Sequence, residues 1–251
     1  MFKALLARAR QGYRTADYPA HDPVLPALFR GRPVLDPGKC VGGCARCIEI
    51  CPSDALRISA AGPELDLGRC IFCGECAAVC PGDAIAFTQD WRLAASERAG
   101  AVVTGDGEVG VAAASREMRR LLGRSLRLRQ ISAGGCNGCE VEVNALGNVV
   151  FDSSRFGIEF VASPRHADGI LVTGPLTANM KEATLRTYDA VAVPKLVIAA
   201  GACAISGGLF RGHPEVCDGI EDLLPVDLYV PGCPPHPYTI LDGVLRLLGR
   251  L

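Results

Sequence analysis

The sequence is poor in aromatic residues and has almost no net charge. Only 6% of its 251 residues are Phe, Trp or Tyr, and 26 basic residues are balanced by 27 acidic ones. Proteins that bind nucleic acids use aromatic side chains to stack on bases and an excess of positive charge to bind phosphates. The composition therefore argues against a nucleic-acid partner. It is otherwise that of an ordinary globular protein, with 49% apolar and 21% charged residues.

Long hydrophobic runs are also missing. The stretch MFKALLARARQGYRTADY at the start has no uninterrupted apolar segment of signal-peptide length and no small-residue cleavage site. The longest apolar run, residues 196–210, is rich in Gly and Ala and is too short and too interrupted to cross a bilayer. We therefore expect a cytoplasmic protein.

Cysteine, by contrast, is abundant, with 13 residues. In a protein without a secretion signal, closely spaced cysteines indicate metal or redox chemistry more often than disulfides. Eight of them lie between residues 40 and 80, where CARCIEICPSDALRI (44–58) and CGECAAVCPGDAIAF (73–87) superpose at an offset of 29 residues. Such a repeat indicates one small structural unit that is used twice.

The second half of this repeat has the cysteine spacing of a bacterial ferredoxin, C-x2-C-x2-C-x3-C-P, which holds [4Fe-4S] clusters. In the first half one residue is inserted between Cys40 and Cys44, where Gly42 and Gly43 allow a bulge. Zinc is the alternative, but zinc knuckles lack a three-cysteine run closed by Cys-Pro. The spacing therefore favours two iron–sulfur clusters.

In such runs the fourth cysteine of each half binds the cluster of the other half. The crossed assignment predicts that cluster 1 is held by Cys40, Cys44, Cys47 and Cys80. It predicts that cluster 2 is held by Cys70, Cys73, Cys76 and Cys51.

The pattern of apolar residues divides the chain into four parts. We expect an arm with an amphipathic helix at 1–33, a ferredoxin-like α+β domain with two clusters at 34–90, a glycine-rich linker at 91–125, and an α/β domain at 126–251. In the last part strand-like and helix-like segments alternate, which predicts a mostly parallel sheet. The arm helix is expected to pack on a neighbouring subunit, with a membrane surface as the alternative.

The later cysteines follow predicted strands. Cys136 and Cys139 come after LRLRQIS, Cys203 comes after KLVIAAG, and Cys233 comes after VDLYVPG. The carboxyl ends of parallel strands meet at one edge of a sheet, so cysteines that are distant in sequence can converge there. The alternative for the Cys136/Cys139 pair alone is a thioredoxin-like dithiol. Cys217 is predicted to be a free thiol.

The first cysteine region, with RPVLDPGKC and LDLGRCIFCGECAAVCP, resembles the two-cluster ferredoxin-like subunits of formate hydrogenlyase and respiratory complex I. The last domain, with GGCNGCEVE, GPLT, GACAISGG and VDLYVPGCPPHP, is similar to the small subunit of membrane-bound [NiFe] hydrogenases of the formate hydrogenlyase and hydrogenase-4 type. The quinone-side cluster subunit of complex I is related to it, but that subunit has adjacent cysteines where this chain has Cys-Asn-Gly-Cys.

The resemblance implies a flavodoxin-like fold for the last domain and a third [4Fe-4S] cluster. Carried over by position, its ligands are Cys136, Cys139, Cys203 and Cys233. Glu142 matches a family glutamate near the cluster, which suggests a proton route; an acid favoured at the start of a helix is the other interpretation. His213 and His236 are expected to be structural, because four cysteines already suffice.

These features together predict a non-catalytic electron-relay subunit of an oxidoreductase, with three [4Fe-4S] clusters. The implied partners are a hydrogenase-type or complex I-type large subunit, membrane subunits, and an electron donor or acceptor subunit at the cytoplasmic face of the inner membrane. Three alternatives stay open. They are a subunit of a complex I-like quinone oxidoreductase, a subunit of a hydrogenase-related complex without nickel, and a freestanding ferredoxin-like carrier or zinc scaffold.

Overall fold

The chain begins with an exposed helix and an extended arm. The structure is a computed structural model and describes residues 2–60, 62–107, 109–122 and 124–251. Helix α1 (Phe2–Gln11) has no buried residue, and its apolar side chains Phe2 and Leu5 are 77% and 61% exposed. Further along the arm, Tyr18 is buried against the rings of Trp91 and Tyr238. The arm is therefore anchored at Tyr18, whereas no described residue of α1 is buried.

The two halves of the cysteine repeat fold alike. The elements of this region are β1 (Pro33–Leu35), α2 (Arg46–Glu49), β2 (Leu56–Ser59), β3 (Gly62–Asp66), α3 (Glu75–Ala78) and β4 (Ile85–Phe87). The one-turn helices α2 and α3 are related by the 29-residue offset of the sequence repeat. Asp54 and Asp83, at equivalent positions, have left-handed φ values of 48° and 50°. The region is thus the ferredoxin-like unit that the sequence predicts.

Residues 91–125, for which the sequence predicts a linker, hold the two parts of the chain together. Strand β5 (Val102–Thr104) pairs antiparallel with β3, and β3 pairs with β2, so this segment completes a three-stranded sheet. Earlier in the segment, Ala95 exchanges two backbone hydrogen bonds of 2.8 and 2.9 Å with Tyr229 of the last domain. Helix α4 (Arg116–Leu122) then leads into that domain.

The last domain is a parallel sheet with helices. Its elements are β6 (Leu126–Ser132), α5 (Gly138–Ala145), β7 (Ile158–Phe160), β8 (Gly169–Thr173), α6 (Ala178–Asp189), β9 (Leu196–Ala200), α7 (Ala202–Ser206), β10 (Leu228–Val230) and α8 (Pro237–Leu247). The strand order is β10-β9-β8-β6-β7, and all pairs are parallel. This is the flavodoxin-like order, with the topological switch point between β6 and β8. The predicted fold class is confirmed.

The central strands are apolar throughout because both faces of the sheet are covered. In β9, Leu196 and Ile198 face one core, which includes α8, and Val197 and Ala199 face the other. Parallel sheets that are buried on both sides have such continuous apolar strands. None of the helices among the described residues is long and apolar enough to span a membrane.

A buried carboxylate on α8 fastens the arm to the last domain. Asp242 is 2% exposed and accepts hydrogen bonds from the Tyr18 hydroxyl (2.8 Å) and from Arg246 Nε (2.8 Å). Burial, followed by the charge of Asp242, raises the pKa of Tyr18 above its ordinary value. The tyrosine therefore stays protonated and donates to the carboxylate at neutral pH.

We expect Tyr18→Phe to lower the free energy of unfolding by about 1–3 kcal/mol, because it removes one donor from a buried carboxylate. Urea denaturation followed by circular dichroism measures this change. Tyr13→Phe is the matched control, since Tyr13 is 81% exposed. Equal effects of the two substitutions would contradict an anchoring role for Tyr18.

Candidate metal centres

The first eight cysteines fall into neighbouring groups that cross the sequence repeat. The thiol pKa of Cys47 is raised by burial and then by the charges of Cys80 and Cys40. Burial raises the pKa of Cys70 to about 12, with further contributions from Cys76, Cys51 and Cys73. The structure thus brings Cys80 near the first half and Cys51 near the second. Cys44 lies partly buried in the loop before α2.

Backbone amides point at several of these sulfur atoms. The Ala55 amide donates to Cys51 Sγ (3.3 Å), and the Ala84 amide donates to Cys80 Sγ (3.2 Å). These two contacts are equivalent in the repeat, and each follows a left-handed aspartate that turns the chain back. Amide donors to sulfur stabilise the thiolate that a metal needs and tune the potential of an iron–sulfur cluster.

The later cysteines of the prediction line one cavity of about 60 Å³ at the carboxyl edge of the parallel sheet. They are Cys136, Cys139, Cys203 and Cys233. The first two follow β6, the third lies in α7 after β9, and the fourth follows β10. Strands of one direction bring the ends of these elements together, although the cysteines span nearly one hundred residues (136–233) of sequence.

Glycines let the backbone close around this cavity. Gly201 has φ +91°, and a Cβ there would lie 2.5 Å from Cys139 Sγ. Gly208 has φ +56°, and its Cβ would lie 2.8 Å from Cys203 Sγ. Side chains at these positions would collide with the sulfur atoms. The result is a thiol-lined cradle with space kept free by glycine, which fits an iron–sulfur cluster.

The thiols around the cavity resist ionisation. Burial, followed by the charges of Cys203 and Glu140, raises the pKa of Cys139 to about 12. Burial and the charge of Cys233 raise the pKa of Cys203 to about 11. A metal group binds thiolates, so its positive charge must displace these protons. Cys136 and Cys233 are exposed, so the cavity reaches the protein surface.

Within the described residues, no group of three or more Cys, His, Asp or Glu side chains is placed to hold a single metal ion. A [4Fe-4S] cluster is held by four thiolates. All thirteen cysteines are free thiols. The four thiols around the cavity match such a cluster in the number and type of its ligands. The ligand assignment stays a prediction.

A groove of about 210 Å³ is lined both by the loop that follows Cys70 and by the loop that holds Cys233. Ile71 and Phe72, next to Cys70, line one side of it, and residues 231–236, which include Cys233, line the other. Arg30 also lines the groove, and its side chain lies against Gly74. The second cysteine group is thus the one whose loop faces the third site.

No sequence motif distinguishes Glu140, which the structure places beside the cavity. Glu140 is 6% exposed, and its Oε1 accepts hydrogen bonds from the hydroxyls of Ser132 (2.6 Å) and Thr173 (2.8 Å). Glu142, for which the resemblance suggests a proton route, is half-buried, and burial raises its pKa. Which of the two acids faces the sheet depends on the rotation of α5, and the sequence alone does not specify this.

The sequence predicts structural roles for His213 and His236. His236 Nδ1 accepts a hydrogen bond from the Tyr238 amide (3.2 Å), so it caps α8, and its ring stacks on that of Tyr238. Burial lowers the pKa of His236, which favours the neutral form that can accept this bond. His213 is exposed. Cys217 packs, partly buried, against the apolar core that includes β9.

A thiol-rich repeat joined to a flavodoxin-like domain with a thiol-lined cavity defines the class of iron–sulfur electron-transfer proteins. Comparison with known proteins gives the family. Residues 32–87 match the family described as the 4Fe-4S dicluster domain, and residues 136–247 match the family described as the NADH ubiquinone oxidoreductase 20 Kd subunit.

Two relatives and one solved structure illustrate the similarity. The chain is 42% identical over 141 residues to formate hydrogenlyase subunit 7 of Escherichia coli, covering 56% of this chain and 55% of the relative. It is 42% identical over 135 residues to the probable membrane-bound hydrogenase subunit mbhJ of Pyrococcus furiosus, covering 54% and 81%. A chain of the archaeal membrane-bound sulfane sulfur reductase superposes with a TM-score of 0.47 at 31% identity, covering 53% and 73%.

The chain therefore belongs to the family of the NADH ubiquinone oxidoreductase 20 kDa subunit and carries a 4Fe-4S dicluster domain in front of the matched region. Its relatives are subunits of oxidoreductase complexes, and the dicluster match supports the binding of [4Fe-4S] clusters. The match spans about half the length of formate hydrogenlyase subunit 7. The resemblance inferred from the sequence is confirmed.

We expect Gly201→Ala to lower the iron and sulfide content of anaerobically purified protein, because the added methyl group would collide with Cys139 Sγ. Gly212→Ala is the matched control, since Gly212 also has a left-handed φ (+78°) but nothing within 4 Å of the added Cβ. Both changes place a side chain in a sparsely populated backbone conformation, which costs about 1–3 kcal/mol. Only the first should affect the metal content. Equal iron contents in the two variants would contradict the cradle described here.

Proposed function

We propose that this protein is an electron-transfer subunit with three [4Fe-4S] clusters in a membrane-associated [NiFe] hydrogenase complex of the formate hydrogenlyase or hydrogenase-4 type. It relays electrons to or from the active site of a partner large subunit. The convergence of Cys136, Cys139, Cys203 and Cys233 on one cavity is the observation that supports the third cluster. Similarity to formate hydrogenlyase subunit 7 and to mbhJ supports the type of complex.

In this proposal the chain is organised as an arm (1–33), a two-cluster domain (34–90), a connecting segment (91–125) and a third-cluster domain (126–251). Each cluster has four cysteine ligands. Cluster 1 is bound by Cys40, Cys44, Cys47 and Cys80. Cluster 2 is bound by Cys70, Cys73, Cys76 and Cys51. Cluster 3 is bound by Cys136, Cys139, Cys203 and Cys233.

Iron–sulfur clusters accept and donate single electrons, and the protein sets their potentials through hydrogen bonds, charge and burial. The residues of this chain determine the order of the relay. The loop with Ile71 and Phe72 faces the loop with Cys233 across one groove, which supports cluster 2 as the neighbour of cluster 3. Cluster 1 is then the outer end, where an electron donor or acceptor subunit docks.

The large subunit docks where the third cysteine set reaches the surface, at Cys136 and Cys233, because electron transfer needs a short distance between the centres. Membrane subunits of the complex would hold the protein at the cytoplasmic face of the inner membrane.

Glu142 is the candidate for a proton route to the large subunit. Its raised pKa supports that role, since a group that titrates nearer neutral pH exchanges protons more readily.

A second candidate is the corresponding subunit of a complex I-like quinone oxidoreductase. The match to the NADH ubiquinone oxidoreductase 20 Kd subunit family favours it, whereas the Cys-Asn-Gly-Cys spacing favours the hydrogenase. A third candidate is a subunit of a hydrogenase-related complex that lacks nickel.

The test of these candidates is to purify the complex through this chain, determine its nickel content and sequence the large subunit. We expect nickel in the complex and two CxxC pairs in its large subunit. Their absence would reject the assignment of the complex to the [NiFe] hydrogenases.

We expect about twelve iron and twelve sulfide ions per chain after anaerobic purification, about four of each per cluster. Cys203→Ala should remove about one third of both, because one ligand of the third set is lost. Cys217→Ala is the matched control, since this thiol packs against the core away from the cavity, and it should leave both unchanged. About eight ions in the unsubstituted chain, with no decrease in Cys203→Ala, would reject the third cluster.

A further inference from the structure

Glu140 combines features that neither the fold nor the binding of a cluster requires. Its carboxylate is 6% exposed and lies on the wall of the cavity that the third cysteine set lines. No ion pair to Glu140 occurs among the residues that the structure describes. A buried charge without an opposite charge is costly, and proteins seldom retain one without a use.

Two hydroxyl groups converge on one oxygen of the Glu140 carboxyl group. The hydroxyls of Ser132 and Thr173 lie 2.6 and 2.8 Å from the same oxygen, Oε1. Thr173 Oγ1 is also 3.2 Å from the Ile131 carbonyl, so its shorter contact is the one to Glu140. Two hydroxyl donors on one carboxylate oxygen compensate part of the desolvation of a negative charge.

These two donors also fix the direction of the side chain. Ser132 ends β6 and Thr173 ends β8, so Glu140 is held between the strands that flank the topological switch point. An acid in the first turn of a helix is ordinarily stabilised by the backbone amides of that turn. Glu140 is directed instead to the sheet edge. Stabilisation of the helix alone therefore does not account for its position.

We propose that Glu140 sets the reduction potential of the third cluster by placing a fixed negative charge against its cavity. This inference rests on the proposed function, since it requires a cluster at that site. Reduction adds one electron to the cluster, and a nearby negative charge in a medium of low dielectric constant opposes it. The charge therefore lowers the potential of cluster 3 relative to the same site with a neutral side chain.

The test is a redox titration of the full chain followed by electron paramagnetic resonance. The signal of the third cluster is identified as the one that Cys203→Ala lacks. Glu140→Gln removes the charge and keeps both the shape and an acceptor oxygen, and we expect the midpoint potential of that signal to become more positive. Glu140→Asp keeps the charge and should return the potential toward the value of the unsubstituted chain.

Glu142→Gln is the matched control on the same helix. Glu142 is half-buried and is not among the residues that line the cavity, so the same substitution there should shift the potential less. Iron and sulfide contents are measured for every variant. They should equal those of the unsubstituted chain.

An unchanged potential in Glu140→Gln would overturn this inference, as would a shift no larger than that of Glu142→Gln. Loss of the third cluster from Glu140→Gln would also overturn it, because the role of the residue would then be structural. Failure of the proposed function itself would give a different result. In that case the unsubstituted chain itself would lack the third signal and contain about eight iron ions.

Discussion

The common direction of the strands is the constraint on which this protein depends. Because β6, β8, β9 and β10 all run parallel, their carboxyl ends lie at one edge of the sheet, and the segments that follow them meet there. No local sequence feature could assemble a site from residues as far apart as Cys136 and Cys233. Reversing one strand would move its cysteine to the opposite edge. The burial of both sheet faces keeps the strands in this arrangement.

The joint between the two parts of the chain is nearly as important. Ala95 pairs with Tyr229 at the edge of the parallel sheet, and Ser206 Oγ donates to the Gly68 carbonyl (2.9 Å) from a buried position. A Cβ on Gly68 would lie 2.7 Å from Ile205, so the two parts approach closely there. Electron transfer is sensitive to distance, and this joint fixes the spacing between the second cysteine group and the third site.

Burial has opposing effects on the cysteine sites. It excludes water and holds the sulfur atoms in place, but it raises the thiol pKa of Cys70, Cys139 and Cys203 well above the ordinary value. The metal must therefore supply the charge that deprotonates them. Amide donors, such as that of Ala84 to Cys80, compensate part of this cost. At the cavity of the later cysteines, the buried side chain of Glu140 also lies on the wall.

Much of this protein is determined by its sequence. Cysteine spacing is a local property of the chain, and C-x2-C-x2-C-x3-C-P can be recognised without a structure. The alternation of apolar strands and helices likewise predicted the α/β domain, because a sheet covered on both faces needs continuous apolar strands. The positions of Cys203 and Cys233 just after such strands predicted their convergence. All of these inferences depend on periods and spacings along the chain.

Only the tertiary structure decided what depends on rotation and contact between distant elements. The spacing of Glu140 and Glu142 does not tell which one faces the sheet, because that depends on how α5 packs. The bond between Tyr18 and Asp242 joins residues 224 positions apart and has no sequence signature. The composition of residues 91–125 is typical of a linker. The structure nevertheless places β5 in the three-stranded sheet and pairs Ala95 with Tyr229 of the parallel sheet. Composition does not show this, because backbone pairing leaves little trace in side-chain chemistry.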